Sequence, residues 1–537
     1  MNGASGFPRN FAAMLREGAA RWPDRHYAVF PERTLTFGAL HEEAARFAAN
    51  LLGDGIGPGD HVAIVMPNSA DFLVAHMGVQ LVGGCSVLFS TRFRETELAH
   101  LLEHCDAGAI IVSDLIDAHI DLAALIGHAL ATADTGGNHV AGGGEVRPRL
   151  LYLFGRKEAA GFRTIRPGEL EQGADGKTNL PGYESGPASN LMIYTSGTTS
   201  MPKGCMLSAE TLMRSWNIYA KAVGLEGGQK IWVPLPFFHC GGIGLATLCM
   251  AYGLTLVSRS HFDADSFARM IEEHRVDHLY PVFHTISMPL LASAYYDRDR
   301  WAGFLKSMVS VGPLGGQEQL RDSLPDDARI MNVFGMTESS GVLTVVPPDA
   351  PEKKRLATCG RPMPGVEVRI VDPETLDDVA AGEKGEILFR GGGAFMGYYK
   401  DDSATEATVL SEGWIRTGDL GFFDTEGWLH FSGRLKDMLK VGGENVAAAE
   451  IEAFLSTYPA VALVQVVGRD DSRLGEVPVA FIECRGGHDV SEEDIVAFCR
   501  GRIASFKVPR QVVFMKEWPM SATKIQKHAL RKMLDTG

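Results

Sequence analysis

Basic residues are in deficit in this chain: 51 Lys and Arg stand against 66 Asp and Glu in 537 residues, a formal net charge of −15 at pH 7. A surface of that sign repels nucleic-acid backbones and anionic membranes, so neither is expected as a partner. Any phosphate must be held by a local cluster of donors against the overall field. Paired cysteines are missing too. The eight cysteines, at positions 85, 105, 205, 240, 249, 359, 484 and 499, form no C-x-x-C pair and no Cys/His zinc spacing. They read as scattered thiols of a reducing cytoplasm, which excludes a disulfide framework. Met1 to Asn10 lacks a basic region followed by an apolar core, so no secretory leader is expected. One stretch lacks charge altogether, since Ile231 to Val257 holds no Asp, Glu, Lys or Arg. Its prolines and glycines (Pro234, Pro236, Gly241, Gly242, Gly244, Gly253) cut it into strand, loop, helix and strand, a buried core segment and not a membrane span. No internal repeat or heptad pattern is present.

At this length the chain exceeds one compact core, and two or more structural units are expected. Residues 11 to 130 alternate helical and strand patterns: an amphipathic helix from Phe11, strands at Val62–Val65, Val87–Phe89 and Ala109–Val112, and helices through Phe72 and over Glu95 to Glu103. Such alternation implies parallel βαβ units. Residues 131 to 147 and the stretch Gly168 to Asn179 interrupt it with glycine-rich loops, and from Leu191 it resumes, with strands near 230–233, 254–258, 307–311 and 330–333. After Gly341 short strands and turns suggest a β-rich subdomain. From about residue 436 a helix over Ala447 to Ser456, strands over Ala462 to Val467 and Val477 to Glu483, a helix over Ser491 to Ile503 and a strand at Gln511 to Phe514 form a separate α+β unit. The expected fold class is therefore α/β, with a large N-terminal domain of doubly wound sheets and a β-rich subdomain over 1–435, plus a small mobile C-terminal α+β domain over 436–537.

The most concentrated chemistry is Tyr194-Thr195-Ser196-Gly197-Thr198-Thr199-Ser200-Met201-Pro202-Lys203-Gly204, read as a loop between the strand Leu191-Met192-Ile193 and a helix over Leu207 to Tyr219. Hydroxyls donate to phosphate oxygens, glycine admits close backbone approach, and Lys203 adds a full charge. The Walker spacing is absent. A second cluster, Asn332-Val333-Phe334-Gly335-Met336-Thr337-Glu338-Ser339, follows a strand, where ligands of an open parallel sheet gather. A third, Gly418-Asp419-Leu420-Gly421 with Ser432-Gly433-Arg434-Leu435-Lys436-Asp437 after it, offers a carboxylate that can accept from both hydroxyls of a ribose.

These strings resemble, in family order, the motifs of the adenylate-forming superfamily of acyl-CoA synthetases, firefly luciferases and peptide-synthetase adenylation domains. The resemblance implies that Thr195, Ser196, Gly197, Thr198, Thr199 and Lys203 hold the phosphates of ATP. It implies that Phe334, in place of the usual tyrosine, stacks on the adenine, and that Asn332, Gly335 and Met336 belong to the cofactor-binding set. Thr337 then meets a phosphate oxygen and Glu338 meets Mg²⁺, while Asp419 and Arg434 serve the ribose. Ser200 stands where the family usually has glycine. Ser310-Val311-Gly312-Pro313-Leu314-Gly315-Gly316 resembles the adenine and acyl-pocket turn in a different residue order, and only Gly312 and Pro313 carry over. His239, in Pro236-Phe237-Phe238-His239-Cys240-Gly241-Gly242, resembles the acyl-pocket gate, and the helix through Phe283, His284 and Met288 is expected to line the same pocket. Lys436 matches the hinge, Gly442 and Gly443 the loop beside the thiol acceptor, and Lys524, in Thr523-Lys524-Ile525, the mobile catalytic lysine.

The implied activity is a two-step ligation. A small-molecule carboxylic acid attacks Mg-ATP to form acyl-AMP and pyrophosphate, and a thiol, with coenzyme A the first choice, then takes the acyl group. A separate carrier protein, an amine or other nitrogen nucleophile and luciferase-like oxidation stay open as alternatives within the family, as does, from another functional class, a degenerate relative that is a non-catalytic nucleotide-binding or scaffold protein. Residues 486–490 lack the serine that a phosphopantetheine arm requires, so no carrier domain is expected within the chain. The acid and the oligomeric state are not legible.

Overall fold

The computed structural model describes residues 10–135, 150–170, 190–195, 202–312, 314–441, 444–486, 490–520 and 524–535. The chain forms two compact units, the first from residues 1–280, 335–342 and 392–407, the second from 281–334, 343–391 and 408–537.

The first unit is built on a seven-stranded sheet in the order Arg163–Ile165, Leu150–Phe154, Ala107–Ser113, His61–Val65, Cys85–Leu88, Leu191–Thr195, Lys203–Leu207. Every pairing is parallel except the last, which is antiparallel. Continuous apolar runs such as Val62–Val65 and Ile110–Val112 are buried completely, as strands covered on both faces require. Ser69 caps the helix Ala70–Leu81, and all of its residues but Asp71 are buried, which is why it shows no polar stripe. A second ladder of the same unit pairs Lys230–Trp232 in parallel with Thr255–Val257 and with the start of His278–Phe283, and Thr255–Val257 with His26–Val29. The charge-free stretch is the strand, helix and strand expected of it, with the helix at Cys240–Tyr252. Among the described residues no helix is long and apolar enough to cross a membrane.

The second unit pairs Ser307–Val311 in parallel with Arg329–Met331, followed by a small antiparallel set of Val333–Phe334, Thr344–Val345 and Arg361–Pro362. The β-rich texture after Gly341 is an antiparallel meander of Val366–Val371, Gly385–Gly391, Ile415–Phe423 and Leu429–Arg434. Its C-terminal part has its own apolar core, on which Ile451, Leu455 and Ile495 from two helices pack against Val464, Val466, Ala480 and Ile482 of the strands.

Several expected boundaries shift. Lys203 is not a loop residue before a helix: Lys203–Leu207 is a strand, and the helix starts at Ala209 because the Ser208 side chain accepts from the Thr211 N–H. The break expected over 131–147 does not hold for residues 131–135, which belong to the helix Leu122–Thr135; residues 136–147 and 171–179 of the expected loops lie outside the described residues. The helix expected through Phe283, His284 and Met288 starts at His284, because Phe283 ends the strand His278–Phe283, in which Val282 holds a left-handed φ of 66°. The stretch around Lys440, expected as a loop, forms two antiparallel strands, Met438–Val441 and Glu444–Ala447. A final helix, Lys527–Asp535, follows Lys524.

Candidate active site

In the first unit the Leu191–Thr195 and Lys203–Leu207 strands place Thr195 directly opposite Lys203, and the Thr195 hydroxyl donates to the Lys203 carbonyl at 3.4 Å. Ser196, Gly197, Thr198 and Thr199 lie outside the described residues. A later segment adds to the outer edge of this hairpin. Met206 N–H donates to the Gly397 carbonyl at 3.0 Å, Met396 N–H to the Met206 carbonyl at 2.9 Å, and Tyr399 N–H to the Gly204 carbonyl at 2.8 Å. That edge brings Tyr398 beside the lysine, whose ammonium stands 5.1 Å from the centre of the phenol ring. The ammonium is also 4.0 Å from the Asp401 carboxylate, and both side chains are about one-third exposed. A charge at that exposure is free to turn toward an anionic ligand.

The other side of Tyr398 belongs to Glu338. The phenol donates to Glu338 Oε1 at 2.6 Å, and the Phe395 N–H donates to the Glu338 carbonyl at 2.8 Å. Glu338 is only 7% exposed, so this charge-assisted bond is the contact that makes its burial tolerable. The turn that presents it closes on itself. Ser339 Oγ accepts from Met336 N–H at 3.0 Å and donates to the Met336 carbonyl at 2.8 Å, and a Cβ at Gly335 would fall 2.1 Å from the Gly341 carbonyl oxygen. Only glycine fits there. Thr337 Oγ1 lies 3.7 Å from Cys240 Sγ, which places the residue after His239 at the same turn. His239 is half-buried at the cap of the Cys240–Tyr252 helix. Tyr398→Phe strips the buried carboxylate of its donor. The expected loss is about 1–3 kcal/mol of unfolding free energy, checked as a lower urea midpoint than that of the wild type.

In the second unit Asp419 and Arg434 face each other across antiparallel strands, with Arg434 Nε 2.8 Å from Asp419 Oδ1. Asp419 is 3% exposed and its own N–H donates to Thr417 Oγ1 at 3.0 Å, so the carboxylate is fixed by its strand and its arginine. The Phe334 ring stands 6.2 Å from that of Phe431, and Phe431 is half open to solvent at 43%. Asn332 is buried with its side-chain oxygen accepting from Val333 N–H, a contact that holds the strand start. Lys436 occupies a single turn, Leu435–Asp437. Burial first, then the charges of Arg434 and Lys524, lowers its pKa. The Lys524 ammonium lies 5.6 Å above the Phe283 ring, on a cavity of about 290 Å³ also lined by His284, Met288, Val311 and Gly312. Pro313, Gly442 and Gly443 lie outside the described residues.

The match to the AMP-binding enzyme family covers residues 15–399, and that to its C-terminal domain covers residues 450–524. The chain belongs to the AMP-binding enzyme family. Indoleacetate–CoA ligase of Aromatoleum aromaticum is 32% identical to this AMP-binding enzyme, over 96% of the chain and 98% of the relative. The 3-[(3aS,4S,7aS)-7a-methyl-1,5-dioxo-octahydro-1H-inden-4-yl]propanoyl:CoA ligase of Rhodococcus jostii is 31% identical over 98% and 99%. O-succinylbenzoate coenzyme A synthetase from Bacillus subtilis, solved with ATP and a magnesium ion, superposes with a TM-score of 0.78 at 25% identity, over 97% of this chain and 99% of that one. The α/β fold with its large and small parts is the fold of that group.

Sequence reasoning missed Tyr398 and Asp401 of this enzyme. The only local signal was Gly391 to Tyr399, a glycine-rich run ending in two tyrosines, and nothing in it names Glu338 as the partner.

Proposed function

We propose that this AMP-binding enzyme activates a small carboxylic acid with Mg-ATP, releasing pyrophosphate, and transfers the acyl group from acyl-AMP to the thiol of coenzyme A. The observation that carries this reading is the pair of opposite charges on one phenol: a buried carboxylate, Glu338, bound by the Tyr398 hydroxyl, and the Lys203 ammonium beside the same ring. A carboxylate and an ammonium held a phenol apart suit a metal-bound polyphosphate.

Among the described residues no group of three or more His, Cys, Asp and Glu could hold a metal ion by itself. A single carboxylate fits Mg²⁺ nonetheless, because this ion is commonly held by one or two carboxylates together with substrate phosphates. Bound through Glu338, it would neutralise charge on the phosphate oxygens.

The chain's own groups do the rest. Thr195 and Lys203, with Ser196 to Thr199, bind the phosphates, and Thr337 donates a hydroxyl to them. Asp419, oriented by Arg434, accepts from the ribose hydroxyls. Phe334 stacks on the adenine, and Asn332, Gly335, Met336, Gly312 and Pro313 contribute to nucleotide binding. Because a carboxylate is already a nucleophile, no general base is needed, and the first step consists of aligning two anions and offsetting their repulsion. Lys524 and Lys203 supply that offset, while His239 borders the acid. Gly442 and Gly443 admit the thiol, and the unit from Lys436 onward turns to exchange Lys524 for the acceptor.

The test is acid-dependent exchange of radiolabelled pyrophosphate into ATP across a panel of acids, repeated with coenzyme A. The expected result is exchange with a subset of acids and thioester formation on adding coenzyme A. Retained nucleotide binding with no exchange for any acid makes the chain a non-catalytic relative. Exchange without a coenzyme A thioester moves the acceptor to a carrier protein or an amine.

A further inference from the structure

The turn that carries Thr337 and Glu338 ends on a strained residue. Ser340 is fully buried and holds a left-handed φ of 57°, and Gly341 follows it at 113°. A residue with a Cβ rarely adopts that conformation, and where it does, its surroundings hold it there. Two hydrogen bonds act on Ser340. Its hydroxyl donates to the Gly393 carbonyl at 2.8 Å, and its carbonyl accepts from the indole N–H of Trp216 at 3.0 Å.

The second bond comes from a side chain with a seat made for it. Trp216 lies on the helix Ala209–Ala222 and is fully buried. A Cβ at Gly244 would stand 2.0 Å from its Nε1, and one at Gly341 2.9 Å from its Cζ2, so two bare positions make room for the ring. Tyr219 and Tyr280 pack against it, with ring centroids at 5.6 and 6.0 Å. The indole is thereby fixed with its N–H on Ser340, and the preceding residue, Ser215, donates to the Val342 carbonyl at 3.3 Å.

Three elements of the candidate site meet on this ring. The helix Ala209–Ala222 follows the Lys203–Leu207 strand directly after Ser208. Gly244 lies on the helix capped by His239, whose first residue, Cys240, approaches Thr337. The turn itself presents Glu338. Tyr398 bonds the Glu338 carboxylate, whereas Trp216 fixes the backbone from which Thr337 and Glu338 both project. Without the indole N–H, the Ser340 carbonyl is buried and short of a donor, and the left-handed residue is free to relax and shift the turn.

Resting on the ligase reading above, we propose that Trp216 is a positioning residue for adenylation: its indole N–H locks Ser340 in the left-handed conformation and so holds Glu338 toward the metal and Thr337 toward the phosphates as one unit.

Trp216→Phe keeps an aromatic ring in the seat and removes the N–H. Pyrophosphate exchange is measured across Mg²⁺ and acid titrations, and adenosine binding by calorimetry. Half-maximal Mg²⁺ is expected to rise and kcat to fall, each by on the order of tenfold, because small displacements of positioned groups are costly. The KM for the acid and the affinity for adenosine, which needs neither Glu338 nor Thr337, should stay as in the wild type. A lower urea midpoint with a wild-type Mg²⁺ titration and kcat overturns the inference and leaves the indole a packing role. A changed acid preference with unchanged Mg²⁺ dependence also overturns it, placing the ring on the side of the acid. Absence of exchange by the wild type with every acid overturns the ligase reading and this inference with it. Should Trp216→Phe fail to fold, Ser340→Ala, which frees the same residue from its bond to Gly393, decides the matter: the same rise in half-maximal Mg²⁺ supports the lock, and a wild-type titration overturns it.

Discussion

Lys524→Ala is expected to slow acyl-AMP formation from acid and ATP by about a hundredfold or more, the usual consequence of removing one charge contact made in a transition state. The ammonium is well placed for such a contact, because it borders the 290 Å³ cavity beside Phe283 and its charge is felt as far as Lys436. The second half-reaction has no such need: a thiol attacks a neutral acyl carbonyl, and the lysine must leave the site for the acceptor to enter. Thioester formation from a supplied acyl-adenylate should therefore stay within a few-fold of wild type. Lys436→Pro fixes φ at the turn Leu435–Asp437, and should leave adenylation nearly intact while depressing the thiol step. The two half-reactions are measured separately, by pyrophosphate exchange and by thioester release from synthetic acyl-AMP. Equal losses in both half-reactions for both variants would exclude an alternating role for this unit and leave the lysines a purely structural one.

Glu338→Gln should have an effect of similar size by a different route. The amide is isosteric, and its oxygen still accepts from the Tyr398 hydroxyl that stands 2.6 Å from the carboxylate, so the turn around Met336 keeps its shape. What disappears is one negative charge, the feature that attracts a divalent ion. Metal-dependent pyrophosphate release should fall by on the order of a hundredfold, with half-maximal rate reached only at much higher Mg²⁺. Identical rates across a Mg²⁺ titration would remove Glu338 from the metal site. Tyr398→Phe offers a control, since it keeps the charge but loses the donor, and should cost stability more than maximal rate.

The family was legible in the chain because its motifs are short and local. Thr195 to Thr199, Gly335 to Glu338 and Gly418-Asp419 each gather hydroxyls, glycines or a carboxylate in a few consecutive residues, the composition that phosphate and ribose recognition calls for. The βαβ alternation was legible for a related reason, since fully buried parallel strands leave uninterrupted runs such as Val62–Val65. Misreadings fell where a local signal pointed one way and a distant partner pulled another. Lys203-Gly204-Cys205-Met206-Leu207 looks like the approach to a helix. It becomes a strand because residues 191–195 pair with it on one edge and the segment around Tyr398 on the other. The helix expected through Phe283 likewise starts only at His284, because Phe283 belongs to the strand His278–Phe283.

The sequence by itself determined the class of chemistry, because its motifs stand in the order of an adenylate-forming enzyme and the chain belongs to the AMP-binding enzyme family. The tertiary structure alone decided which groups share a site. The Tyr398–Glu338 bond spans 60 positions, and Arg434 meets Asp419 across two antiparallel strands. Such contacts follow from strand register, which is not a property of neighbouring residues.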